Sequence, residues 1–157
     1  MADYLLLKTV HILSSTLLFG TGLGTAFHGW MANRSGDAGA RRVVNRNVVL
    51  ADWLFTTPAV IVQPVTGVWL VQLAGFPLTT GWLAASIALY LMVGACWLPV
   101  VGIQIRMRRI ADATPVEMPL PARYFQLSRM WFLLGWPAFI GVIVIFWLMV
   151  TKPEFVW

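Results

Sequence analysis

Trp82–Ile105 reads WLAASIALYLMVGACWLPVVGIQI, twenty-four residues without a single charge. A helix that crosses a bilayer needs about 20 consecutive apolar residues, so this stretch is a membrane span. Working outward, three more runs of the same kind flank it. One goes from Tyr4 to about Met31, one from about Val48 to Ala74, and one from about Ala122 to Val150. The composition agrees: 59% of the 157 residues are hydrophobic and 11% are charged, against about 45–50% and about 25% in soluble domains. The expectation is an all-α integral membrane four-helix bundle. It forms a single transmembrane domain over residues 1–157, with helices at about 4–31, 48–74, 82–110 and 122–151. Four spans leave no length for a second, soluble domain.

The connecting segments are polar. Ala32–Asn47 carries Arg34, Arg41, Arg42 and Arg46 against Asp37, has no apolar period and reads as an exposed loop. Residues 75–81 make a short turn, Ala111–Pro121 holds three prolines and two carboxylates, and Thr151–Trp157 is a tail. The chain opens Met-Ala-Asp, without the basic start of a cleaved signal peptide. Within the second span, Pro58 and Pro64 lack amide donors and should kink the helix. Neighbouring helices then have to satisfy the carbonyls set free.

The net charge of +5 concerns topology rather than nucleic acid. Residues 32–50 hold four Lys and Arg and residues 106–129 hold five, while Lys8 and Lys152 are the two on the other side. Cytoplasmic loops carry the basic excess, which places both termini on the periplasmic or exterior side of a bacterial inner membrane. Trp30, Trp53 and Trp131 toward the inner boundary, with Trp82, Trp147 and Trp157 toward the outer, suit interfacial belts. The basic loops suit contact with anionic lipid.

Ionisable groups at membrane depth are costly, so each is a candidate site. Lys8 can snorkel outward, and Asp52 and Arg129 lie near the inner boundary, where each could pair with an opposite charge. His11 lies about two turns below the outer end of the first helix, too deep for an imidazole to reach headgroups. Two readings are open for it: a hydrogen bond between helices, or an axial ligand to a metal centre such as haem. At about 100° per residue its face is shared by Ser14, Ser15, Leu18, Gly22 and Thr25, a low wall that suits a flat macrocycle or close helix packing. His28 is seventeen residues further along, about 25 Å at 1.5 Å per residue, so the two histidines of one chain cannot share a metal. Gly20, Gly24 and His28 form a second stripe suited to another helix or subunit.

Absences narrow the choice. The single Cys96 excludes an internal disulfide and paired-thiol chemistry. The second span carries no mid-depth carboxylate, and the chain holds no nucleotide loop, zinc-spaced cluster or Ser-His-Asp set. Gly20-Thr-Gly-Leu-Gly24 lies inside a membrane helix, which is the wrong context for a dinucleotide loop.

Several short motifs recur in order: Lys8-Thr-Val-His11, Thr57-Pro58-Ala59 with Gly67-Val-Trp-Leu70, Gly81-Trp-Leu83, and Lys152-Pro153. In these the chain resembles predicted integral membrane proteins of unknown function that are distant relatives of HemJ-type protoporphyrinogen oxidases and CopD-type copper-resistance membrane domains. The resemblance covers nearly the whole chain and rests on the ordered set. HemJ-type proteins bind b-type haem, and the resemblance implies that His11 matches their essential first-helix histidine. Two HemJ-type motifs are missing. A His-x-Lys pair is replaced by Ala84-Ala-Ser86, and Asn-Glu-x-Pro is absent where Leu134-Gly-Trp136 precedes Pro137. An enzyme assignment therefore stays open, and the missing charges count against protoporphyrinogen oxidation.

The leading expectation is one b-type haem on His11, with Gly22, Gly67, Tyr90 and Met92 as neighbours and electron transfer as the role. Met92, another subunit or nothing would supply the sixth ligand. The competing expectation is a non-catalytic accessory or scaffold subunit of a larger membrane complex, or a stand-alone structural protein; the partners expected are a second copy of the chain or a respiratory-type membrane complex. A third is Cu(I) handling by His11 with Met92 and Met149, since thioethers select that ion.

Overall fold

The computed structural model describes residues 2–115 and 117–154. Among the described residues it is all helical: α1 is Ala2–Arg34, α2 is Ala38–Ala51, α3 is Thr57–Ala74, α4 is Gly81–Ala113 and α5 is Ala122–Thr151. A π-turn, Asp52–Thr56, joins α2 to α3 without a break. Four helices are thus long and apolar enough to cross a membrane, the second of them being Ala38–Ala74. An even number of crossings returns the chain to the end at which it began.

The polar segment 32–47 is not a loop. Only Ser35, Gly36 and Asp37 lie outside helix there. Asp37 caps α2, its carboxylate accepting the Gly39 N–H at 2.7 Å. The inward residues of α2 are mixed, Arg41, Arg42 and Asn45 beside Val44, Val48 and Val49, and the polar ones mask its apolar period. Arg42 donates to the carbonyls of Ala111 and Thr114 at the end of α4, and Asn45 donates to the Tyr124 hydroxyl at 2.8 Å. At about 1.5 Å per residue, the 37-residue helix 38–74 is about 55 Å long, well beyond the ~30 Å of hydrocarbon. The end formed by α2 is the surplus.

Each proline in the second span has a visible consequence. Pro58 follows the π-turn, where Thr57 N–H reaches Asp52 O, five residues back. The widened turn absorbs the donor that position 58 lacks. Pro64 leaves the Val60 carbonyl without its helical partner, and the Tyr90 hydroxyl of α4 donates to that carbonyl at 2.5 Å. This meets the need for a neighbouring helix to satisfy a freed group. Gly75, at φ +71°, ends α3, and Phe76 N–H closes back on Val71 O at 3.2 Å.

The core lies between α4 and α5. At the α2 end Val100, Ile103, Met107, Ala111, Leu120, Tyr124, Leu127 and Trp131 form one buried cluster, and at the other end Trp82, Leu83 and Leu148 form a second. Trp131 and Trp82 are therefore core residues, 8% and 7% exposed, and not members of a lipid-facing belt. Trp30, Trp53 and Trp147 do face outward, and Trp157 lies outside the described residues. Lys152, in the left-handed region at the end of α5, holds its ammonium over the Phe76 and Trp82 rings and ties that end to the 75–80 turn.

Asp52 also departs from expectation. It is 5% exposed and makes no ion pair among the described residues; its Oδ1 accepts from the Thr56 hydroxyl at 2.9 Å. Arg129 is exposed. The ion pairs among the described residues converge on Asp112, from Arg46 and Arg108.

Candidate functional site

The side chains that position His11 come from the seam between α1 and α3. Along α1, Tyr4, Leu7, His11, Ser14, Leu18, Thr21 and Thr25 are buried or half-buried. They follow each other by three and four residues in turn. On the facing side Asp52, Thr56, Ala59, Gln63, Thr66 and Leu70 alternate by four and three, and these too are buried or half-buried. Such a 3.5-residue repeat keeps two helices in continuous contact.

In lipid, where apolar surface is no driving force, interhelical hydrogen bonds and close packing hold such a seam. Gln63 Nε2 donates to the His11 carbonyl at 2.7 Å and to Ser14 Oγ at 2.6 Å, which sets the register of α1 on α3. Thr66 Oγ1 lies 2.7 Å from His11 Nδ1 and 2.6 Å from the Val62 carbonyl. A carbonyl only accepts, so the hydroxyl proton goes to Val62. The proton between Thr66 and His11 must then be on Nδ1. This fixes the imidazole as the Nδ1–H tautomer and leaves Nε2 with its lone pair free of any hydrogen bond from the described residues.

Gly67 lies beside the ring: a Cβ there would stand 3.3 Å from His11 Cε1. His11 and Gly67 are thus brought together. Tyr90 uses its hydroxyl on Val60. Met92 directs its methyl to α5, 3.0 Å from where a Cβ on Gly141 would be. Gly22 is exposed, with no atom within 4 Å of an added Cβ. Met149 packs against the Trp82–Leu83–Leu148 cluster, so the methionines of the copper reading have packing roles of their own. His28 is exposed, and its Nδ1 donates to Gly24 O at 2.8 Å within α1. No group of three or more His, Cys, Asp or Glu able to hold a metal occurs among the described residues.

Thr66 and Gln63, the partners that orient His11, are not evident from hydropathy. The signal that finds them is the polar series 52, 56, 63 and 66, set at helical spacing in an otherwise apolar span.

The family model described as a predicted integral membrane protein, DUF2269, matches residues 5–153. The chain belongs to this family. The match takes in all four spans and every residue of the His11 seam from Leu7 onward, so the seam lies in the part of a DUF2269 chain that the family model describes. No curated protein and no solved structure matches the chain. The comparisons give no support to the expected HemJ-type and CopD-type resemblance.

Proposed function

We propose that this DUF2269 protein is a multi-pass protein of a bacterial inner membrane that carries one b-type haem on His11 and serves in electron transfer, with its termini and the His11 end facing the periplasm. The observation that carries the proposal is the anchored imidazole. A histidine that ligates a metal donates its other ring N–H to a fixed acceptor, and Thr66 is such an acceptor for His11 Nδ1. The free Nε2 would hold the iron. Thr66 orients the ring, Gln63 fixes the height of α1, and Gly67 leaves room at the ring edge. The haem, when bound, supplies one-electron chemistry, which the side chains of the spans do not offer.

The test is an absorption spectrum of protein purified from haem-replete cells. A Soret band that His11→Ala removes, with helical circular dichroism intact, is the expected result. A colourless, folded wild-type protein overturns the reading.

A second reading, an accessory or scaffold subunit, has its own observation. Gly20, Gly22 and Gly24 have no atom within 4 Å of an added Cβ, so the space where their side chains would stand is open. Small residues on a membrane helix allow another helix to come close. Cross-linking in native membranes distinguishes this reading, which expects adducts through the α1 face whether or not haem is present.

A further inference from the structure

At the end opposite His11, where α1, α2, α4 and α5 meet, a cavity of about 20 Å³ is lined by residues that include Gly29, Arg41, Val48, Gln104 and Trp131. Three of these residues each hold a buried polar atom with no hydrogen-bond partner in the chain: Arg41 Nε, Gln104 Oε1 and Trp131 Nε1. Gln104 and Trp131 are more than nine-tenths buried, at 5% and 8% exposed. Leaving a buried polar group unpaired is costly, and three around one small space point to a common partner.

The chemistry of the three atoms selects that partner. The Arg41 and Trp131 nitrogens are donors and Gln104 Oε1 is an acceptor. A cation would meet two N–H groups and the Arg41 charge; an anion would meet the Gln104 carbonyl oxygen. Water accepts two hydrogen bonds and donates at least one. A cavity needs about 10–15 Å³ to hold one, so this one has room for a single molecule.

We propose that this cavity is a binding site for one water molecule, which accepts from Trp131 Nε1 and Arg41 Nε and donates to Gln104 Oε1. Bound there, it joins α2, α4 and α5 through Arg41, Gln104 and Trp131 where the membrane span gives way to the polar end. The site is remote from His11 and independent of the haem reading.

The full-length protein in micelles, carrying isotope-labelled tryptophan, provides the test. Its Trp131 indole N–H is expected to show a cross-relaxation peak to water, with the sign of a slowly tumbling bound molecule. The peak should stay unchanged when chloride replaces gluconate in the buffer. Gln104→Leu removes the acceptor. Gly29→Ala adds a methyl to the cavity wall, 3.4 Å from the Trp131 ring. Loss of the peak in either variant supports the site, provided the other eight of the nine tryptophan resonances keep their positions. Absence of the peak in the wild type overturns the proposal, as does its persistence in both variants. A chloride-dependent shift of Trp131 overturns it in favour of an anion site. If neither variant folds, the wild-type peak and its chloride response still decide.

Discussion

The Tyr90 hydroxyl donates to the Val60 carbonyl, across from α4 to α3, at 2.5 Å. Val60 is four residues before Pro64, so this carbonyl is the one that the proline deprives of its helical donor. The bilayer core holds no bulk water to fill that role. The contact bridges two helices and allows the second span to keep a mid-membrane proline.

Tyr90→Phe should therefore lose more than one ordinary hydrogen bond, because it leaves Val60 O unpaired in lipid. The expected destabilisation is about 1–3 kcal/mol, measured as a shift in an SDS unfolding titration. Pro64→Ala restores an N–H at position 64. In that background Tyr90→Phe should cost little. An equal cost in both backgrounds would mean that the hydroxyl stabilises the protein by some other route.

Thr66→Val keeps the shape at position 66 but removes the oxygen that accepts from His11 Nδ1. Loss of an orienting partner typically weakens metal binding about 10–100-fold. That is the expected fall in haem affinity by titration of the haem-free protein, with Thr66→Ser close to wild type. Unchanged affinity in Thr66→Val would separate the Thr66 contact from ligand binding and leave it a purely structural bond.

How far these features can be read in the sequence follows from the solvent. Lipid imposes hydropathy directly, so the spans at 4–31, 82–110 and 122–151 agree with α1, α4 and α5 to within a few residues. In the second span the π-turn and α3 lie within 48–74, but the helix itself starts at Ala38. The missing turns are those of α2, whose inward side mixes Arg42 and Asn45 with Val44 and Val48. A 3.6-residue repeat puts Gly22 on the His11 face. The seam follows 3.5, and over three turns the drift moves the contact to Thr21. Trp82 and Trp131 have belt-like positions in the chain, yet they point inward, because the core at each end of the bundle needs a large side chain. Depth along a span can be inferred from sequence, but rotation about the helix axis depends on which helices pack together.

Gly141 is where α5 approaches α4 closely. A Cβ there would stand 2.8 Å from Val93 Cγ2 and 3.0 Å from Met92 Cε. Gly141→Ala should therefore destabilise by about 1–3 kcal/mol through overpacking, and Val93→Ala in the same chain should return part of it. Gly20→Ala meets nothing within 4 Å and should change the stability of the isolated chain by less than about 0.5 kcal/mol. If Gly20→Ala instead abolishes a cross-linked assembly in native membranes, the α1 face binds a partner.

Orientation can be decided with two single cysteines in a chain whose one native thiol, Cys96, is replaced by Ala. Ser35 lies in the short break between α1 and α2, beside the basic residues Arg34, Arg41 and Arg42. Thr79 lies in the turn before α4, at the end where Lys152 sits over Phe76. The charge asymmetry puts the Ser35 end in the cytoplasm. An impermeant maleimide added to intact spheroplasts should label Thr79→Cys at once and Ser35→Cys only after the membrane is opened. The reverse pattern would place the basic end outside, moving His11 to the cytoplasmic half and any electron partner to that side.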